Sequence, residues 1–349
     1  MIPLYDIKKY FYFIICAAFI FGCSQDAEKK INKGLELYNN GEIAKAASCI
    51  EEGLVIASSI KKVNENRLSY GHNVLFSRQK KILKIIWPLE MELELADNYN
   101  IVSYDQDAGK LGLSNGTDIR IYNSEGSLVK TCGPTPDDKQ IKAFIISSEN
   151  IYYYKNKGIF IYDQATDTER LLMPDKSNSF SDKESYEVYM YRAGNLLGTA
   201  VGIAGKYNYN IFDLNSNSAV IQNLSLSSNK LLLRYNELYY ITGNAGKYVL
   251  ARLSVPSMKI KNLFQFENLL DVEFFSSGLL FENRNGFWGL DYEKSYARKI
   301  PFSYELKGEC CGKAVIKYSG NYYIVDSVKF FEMIDSLKDK APSIFEIMN

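Results

Sequence analysis

The sequence predicts a mainly β fold, a β-propeller of six or seven blades, preceded by a short α-helical hairpin. Three observations predict it. From Ala27 to about Ser59 the apolar residues recur at three- and four-residue spacing, which is the period of a helix. After Pro88 the pattern changes to short aromatic-rich runs separated by Gly, Asn, Asp and Ser clusters, which is the pattern of strands and tight turns. One phrase then returns at intervals near 40 residues, the period of a four-stranded propeller blade.

The first 22 residues read as a processing signal. Lys8 and Lys9 give a positive start, and Tyr10 to Gly22 contain no charge. This uncharged run is shorter than the roughly 20 apolar residues a spanning helix requires, and the polar stretch Ser24-Gln25-Asp26 follows at once. The run ends in Ile20-Phe21-Gly22-Cys23, which resembles the lipobox of bacterial lipoproteins. Phe21 stands where that box has a small residue, a looseness similar to that of spirochaete lipoproteins. The resemblance implies cleavage before Cys23 and acylation of its thiol, so that Cys23 is the lipid-attachment residue. Several acyl chains on one residue exceed the single chain that holds a protein only marginally. An ordinary cleaved signal peptide with an incidental cysteine is the alternative. Ser24, where many inner-membrane lipoproteins carry Asp, points by the same resemblance to the outer membrane.

Residues 23–87 are read as a helical hairpin and connector. Ile31, Leu35 and Tyr38, then Ile43, Ala46, Ala47, Ile50 and Leu54, mark two helices, with the turn signal Asn39-Asn40-Gly41 between them. Gly34, Leu37, Gly41, Ala46, Ile50 and Gly53 resemble one tetratricopeptide unit, whose small residues let two helices approach. Lys30 stands at its opening aromatic position and no closing proline follows. One unit cannot bury both faces, and the stretch from Asn64 to Ile86 is the expected packing neighbour. A plain helical spacer is the other reading.

Residues 88–327 are assigned to the propeller. The clearest copy of the phrase runs from Ile151 to Asp163 and on to Leu172. Others end at Asn123, Asp213, Arg252, Asp291 and Asp326. Each terminal acid or amide is expected at the exit of a third strand, bonding turn amides two residues on. Six phrases are present, and Ile82 to Leu95 is a candidate for a seventh, closing the ring from the amino-terminal side. A β-sandwich or solenoid is the rival fold. Residues 328–349 return to helical spacing with Phe330, Phe331 and Ile334, then Ile344, Phe345 and Ile347, and are expected to pack on the ring as a helical tail, with a free amphipathic partner-binding helix as the alternative.

Composition narrows the chemistry. Lys plus Arg equals Asp plus Glu at 41 each, and loss of Asp6, Lys8 and Lys9 leaves the mature chain near neutral, so nucleic acid is not an expected partner. His72 is the sole histidine, which removes most hydrolase triads and histidine metal sites. Cys49, Cys132, Cys310 and Cys311 have no zinc-site or disulfide-framework spacing. The vicinal pair Cys310-Cys311 reads as a strand-edge pair of small residues, with a strained redox disulfide as the sharper alternative. Phosphate loops are absent, and Asp137-Asp138 reads as a solvated loop. No catalytic, cofactor-binding or metal-ligating residues are therefore expected.

The phrase ending Asp163-Gln164-Ala165-Thr166 resembles the Asp-x-x-Thr-Gly turn of the BamB family of propeller lipoproteins. Asp167 replaces the glycine and the tryptophan that usually follows is missing. The resemblance implies a non-catalytic scaffold on the inner leaflet of the outer membrane, with β-barrel assembly (BAM) proteins as partners and no cofactor. A propeller that binds a small ligand or sugar, and a surface-exposed adhesin, are the alternatives.

Overall fold

The computed structural model describes residues 29–342, apart from residue 31 and the stretches 58–61, 64–67, 96–98, 133–140, 156–157, 175–185, 204–205, 227–229, 245–246, 256, 295, 301–304, 319–320 and 336–339. The described residues are mainly strand and form seven antiparallel sheets. Six are sequential: blade 1 covers 69–94, blade 2 101–132, blade 3 143–174, blade 4 187–226, blade 5 231–267 and blade 6 269–300. Blade 7 takes three strands from 305–326, and its outermost strand, Lys62–Val63, comes from the other end of the chain. Lys62 pairs with Tyr323 and Val63 with Tyr322, so the two ends of the propeller share one sheet.

The strands form because both faces of each blade are apolar. In the second strand of blade 3, Ile151 and Tyr153 are buried against blade 2 while Tyr152 and Tyr154 are buried against blade 4. A period of two that is apolar on both sides reads in sequence as a continuous run. Seven hydrophobic clusters result, one between each pair of neighbouring blades, including a cluster of Leu75, Ile86, Val315, Tyr322 and Ile324 that joins blade 7 to blade 1. Each large side chain buried there contributes about 1.5–3 kcal/mol, and no blade has a core of its own.

The expected turn chemistry is present. Asp163 Oδ1 accepts from the Ala165 and Thr166 amides at 2.8 and 2.9 Å, Asp213 Oδ1 from Asn215 at 2.9 Å and Asp291 Oδ1 from Glu293 at 2.8 Å. Asn123 does the same to Glu125 and Ser127. Asp326, leaving blade 7, instead accepts from Lys329 at the start of the helix Ser327–Asp335. Blade 5 departs from the expected alignment: Ser254, not Arg252, pairs with the first residue of the preceding strand as Asp213 does in blade 4.

The amino-terminal boundary of the propeller lies earlier than residue 88. The stretch 64–86 is not a helical neighbour; its described residues build blade 1, with Val74–Gln79 and Ile82–Trp87 as paired strands. Its apolar residues fit both periods, and the hairpins are set by Asn73 and Lys80, which take φ of 56° and 55°. Ile82 to Leu95 therefore ends blade 1 and does not close the ring, a role filled by Lys62–Val63. The blade number is seven.

Helical residues 32–39 and the helix Ile43–Ala57 precede the ring, joined through Gly41 at φ 83°. A Cβ on Gly34 would lie 2.5 Å from Ile50 Cγ1 and 3.1 Å from the Ala46 carbonyl oxygen, so this approach requires glycine. Ile50 joins Phe330, Phe331 and Ile334 of the helix Ser327–Asp335 in the cluster between blades 6 and 7. The carboxyl-terminal segment is helical only in its first part. Lys340–Pro342 is a fifth strand on blade 6, paired with Tyr296–Ile300, while Ile344, Phe345 and Ile347 lie outside the described residues.

Candidate functional site

Two places on the ring concentrate polar chemistry: the channel, and the end of each blade where the turn after its first strand meets the turn after its third. In an antiparallel four-stranded sheet these two turns lie at the same end. The first strand of each blade lies innermost, around the ring axis, and the contacts between these strands are uneven.

On the side of blades 1 to 3 the inner strands touch through backbone amides, which donate to carbonyls and to the Ser103 hydroxyl. The His72 amide donates to the Val102 carbonyl at 3.0 Å, the Tyr104 amide to the His72 carbonyl at 2.9 Å, and the Ile146 amide to Ser103 Oγ at 3.1 Å. A Cβ on Gly71 would overlap the Val102 carbonyl, so the approach of blades 1 and 2 depends on that glycine. From blade 5 round to blade 1, charge and an aromatic ring hold the strands. Lys230 Nζ lies 2.6 Å from Asp271 and 3.1 Å from Glu273, bridging blade 5 to blade 6. The Tyr70 ring packs over Gly308, whose φ of 126° excludes other residues. The Tyr70 hydroxyl is buried without a hydrogen-bond partner, and burial, with the nearby Glu273 carboxylate, pushes its ionisation well above the usual phenol range.

Ring closure gathers residues far apart in sequence. The Cys310-Cys311 pair comes to the turn that carries His72, where Cys311 Sγ donates to the Asn73 carbonyl at 3.2 Å and Asn73 Nδ2 lies 3.3 Å from His72 Nε2. His72 is thus a turn residue of blade 1 and not part of a helical linker. Burial, with the Arg192 guanidinium as a second cause, lowers its imidazole to about 4. The thiol donates to a carbonyl and not to the imidazole, so these residues do not form a nucleophile–base pair. Both cysteines are free thiols. The hydrogen bond between them, with burial, raises Cys310, and the same hydrogen bond lowers Cys311. Cys132 is a separate buried thiol, pushed up to about 11 by burial, and Cys49 sits half-exposed on the helix Ile43–Ala57. Cys23 and Asp137-Asp138 lie outside the described residues. No group of three or more His, Cys, Asp or Glu could hold a metal among the described residues.

One buried charge has a structural explanation. Lys155 is fully buried in blade 3, but its Nζ lies 2.5 Å from Glu169 Oε1 and 4.5 Å from the Phe160 ring centroid, and Tyr153 donates its hydroxyl to the same carboxylate. A buried ion pair with its hydrogen bonds satisfied is a packing solution.

No protein-family model and no curated protein matches the sequence. Among solved structures the chain is similar to BamB from Moraxella catarrhalis, at 11% identity over 81% of this chain and 89% of that one, with a TM-score of 0.45. It is also similar to a chain of a mitotic checkpoint complex, at 12% identity over 76% and 90% with a TM-score of 0.48. Hsv2 from a Kluyveromyces yeast matches at 9% identity over 73% and 89%, with a TM-score of 0.46. The seven-sheet topology stands without these likenesses, which carry no argument about function.

The blade ends differ in what they present to solvent. At the turns where the backbone adopts positive φ, most blades place glycine, asparagine or aspartate: Gly109 and Gly126 in blade 2, Asp167 in blade 3, Gly194 and Asn217 in blade 4. Blade 5 places Tyr235 at φ 52° and Met258 at φ 53°, two in one blade, and blade 7 places the half-buried Cys311 at φ 50°. A left-handed conformation costs such residues about 1–2 kcal/mol each. Tyr235 is 75% exposed and Met258 51% exposed, so packing does not repay that cost. Sequence reasoning missed both, although aligning Tyr235-Asn236 with Gly194-Asn195 of the preceding blade would have shown the exchange.

Proposed function

We propose that this protein is a lipid-anchored, non-catalytic scaffold of the bacterial envelope, held on the outer membrane through acylated Cys23 and acting in β-barrel assembly. The observation that carries the contact reading is the exposure of large apolar side chains on a ring of otherwise satisfied turns: Leu128 and Val129 on the outer strand of blade 2, Leu171 on that of blade 3, and Tyr235 and Met258 at the end of blade 5. Rigid sheets that present such side chains suit protein recognition. The lipobox-like Ile20-Phe21-Gly22-Cys23 supports the anchor, and the Asp163-Gln164-Ala165-Thr166 turn supports the barrel-assembly setting by its likeness to the BamB family. The tetratricopeptide-like helical pair is read as a second contact element beside blades 6 and 7, facing the periplasm.

Anchoring is tested by Cys23→Ala, which should abolish palmitate labelling and leave the protein uncut or released from membranes. Labelling that persists in that variant excludes the lipobox. A second reading, a small ligand in the channel, is favoured by the unpartnered Tyr70 hydroxyl. It requires a ligand-dependent rise in Tm that Tyr70→Phe removes.

A further inference from the structure

We propose that the turn end of blade 5 is a docking surface for an acidic segment of a partner protein, one that carries apolar side chains flanked by carboxylates. The inference rests on the scaffold reading and names the surface and the chemistry of its partner. Arg234 pairs with Glu237, Glu237 with Ser254 and Ser254 with Lys259, so one row crosses all four strands at this end. Tyr235 and Met258 stand just beyond that row on the first and last turns. They are separated by two to three strand spacings, about 10–14 Å, a span that one bound segment covers. Ile260, 62% exposed on the outer strand, extends the apolar area beside Met258.

The neighbouring blade shows that the fold does not need these residues. Blade 4 makes the same connections with Gly194 and Asn217, and the carbonyls of Asn195 and Asn236 accept the equivalent amides, Leu214 and Val255, each at 2.8 Å. Tyrosine and methionine in place of glycine and asparagine are thus a departure from backbone preference on an exposed surface. Such departures are kept where something other than folding uses them. Tyrosine supplies a rigid anchor and methionine an adaptable one.

Charge selects the partner. The Arg234 guanidinium lies 5.3 Å from the Tyr235 ring centroid, and Lys259 and Lys261 are exposed on the outer strand. The one carboxylate in the row, Glu237, is taken by Arg252 at 3.4 Å and by the Tyr239 hydroxyl at 2.6 Å. On the adjoining turn of blade 6 Glu293 and Lys294 are exposed, and the Glu293 carboxylate acts on Arg252 of blade 5. A basic rim around apolar anchors favours carboxylates and repels cationic segments.

The test uses the full-length lipidated protein in mild detergent and two labelled twelve-residue peptides, one alternating Phe with Asp and one alternating Phe with Lys. The Phe/Asp peptide should bind, weaken with salt, and lose at least tenfold in affinity in a Tyr235→Gly, Met258→Asn double variant whose Tm is unchanged or higher. Equal binding by the double variant, or equal binding of the Phe/Lys peptide, overturns the proposal. In cells, a photo-crosslinking benzoylphenylalanine at position 235 should capture a peptide with carboxylates flanking apolar residues, and a cationic peptide there overturns it. Adducts from position 171 but not from 235 remove this surface and leave the scaffold reading standing; adducts from neither remove both.

Discussion

The arc of blades 2 to 5 and the seam of blades 6, 7 and 1 complete the same ring by different means. In the arc every blade is four consecutive strands, and every interface joins segments adjacent in the chain. The seam is assembled from both chain ends. Lys62–Val63 finishes blade 7, Lys340–Pro342 adds to blade 6, and the helices Ile43–Ala57 and Ser327–Asp335 share a cluster with both. Repetition builds the arc, whereas the seam depends on pairings between residues roughly 260 positions apart, which cost more loop-closure entropy before they return contact energy.

The largest effect expected is on the arc. Excising residues 231–267 removes blade 5 and the neighbours of two others, and should abolish cooperative unfolding of the whole ring. A deletion protein that still melts in one sharp transition would make the blades an open stack. At the seam a point change suffices. Phe330→Ala, at a site only 1% exposed, should cost about 3–5 kcal/mol. Hydrogen exchange should then show Tyr322 and Tyr323, the partners of the closing strand, opening before the arc. Uniform opening around the ring would erase the distinction between seam and arc.

A smaller effect links the two regions across the channel. His72 in blade 1 is lowered to about 4 by burial and by Arg192 in blade 4. Its unfolded value is near 6.5, so between these limits the unfolded chain binds the extra proton and stability falls as pH drops from 6.5 towards 4. The full contribution, about 1–3 kcal/mol after allowance for the partly buried position of His72, is present above pH 6.5. A His72→Gln variant should show a flatter Tm profile between pH 4 and 6.5, and an unchanged slope would mean that the imidazole is solvated.

The same contrast explains what the sequence disclosed. Asp163, Asp213 and Asp291 announce the arc because each must bond turn amides after a third strand, and tyrosine-rich runs such as Ile151–Tyr154 announce strands apolar on both faces. The seam was silent. Two residues, Lys62 and Val63, carry no pattern that names Tyr322 and Tyr323 as their partners, and the residues from 74 to 87 satisfy helix and strand periods alike. His72, Cys310 and Cys311 read as unrelated because only ring closure brings them together. Tyr235 and Met258 could have been found, since they break a turn pattern that the preceding blade keeps.

The proposed role of an anchored ring in envelope assembly is tested most directly by depleting the protein and quantifying outer-membrane proteins. Several β-barrel proteins should fall together, and envelope proteins should co-purify with the lipidated chain. Unchanged barrel levels, with no envelope protein retained, would contradict it.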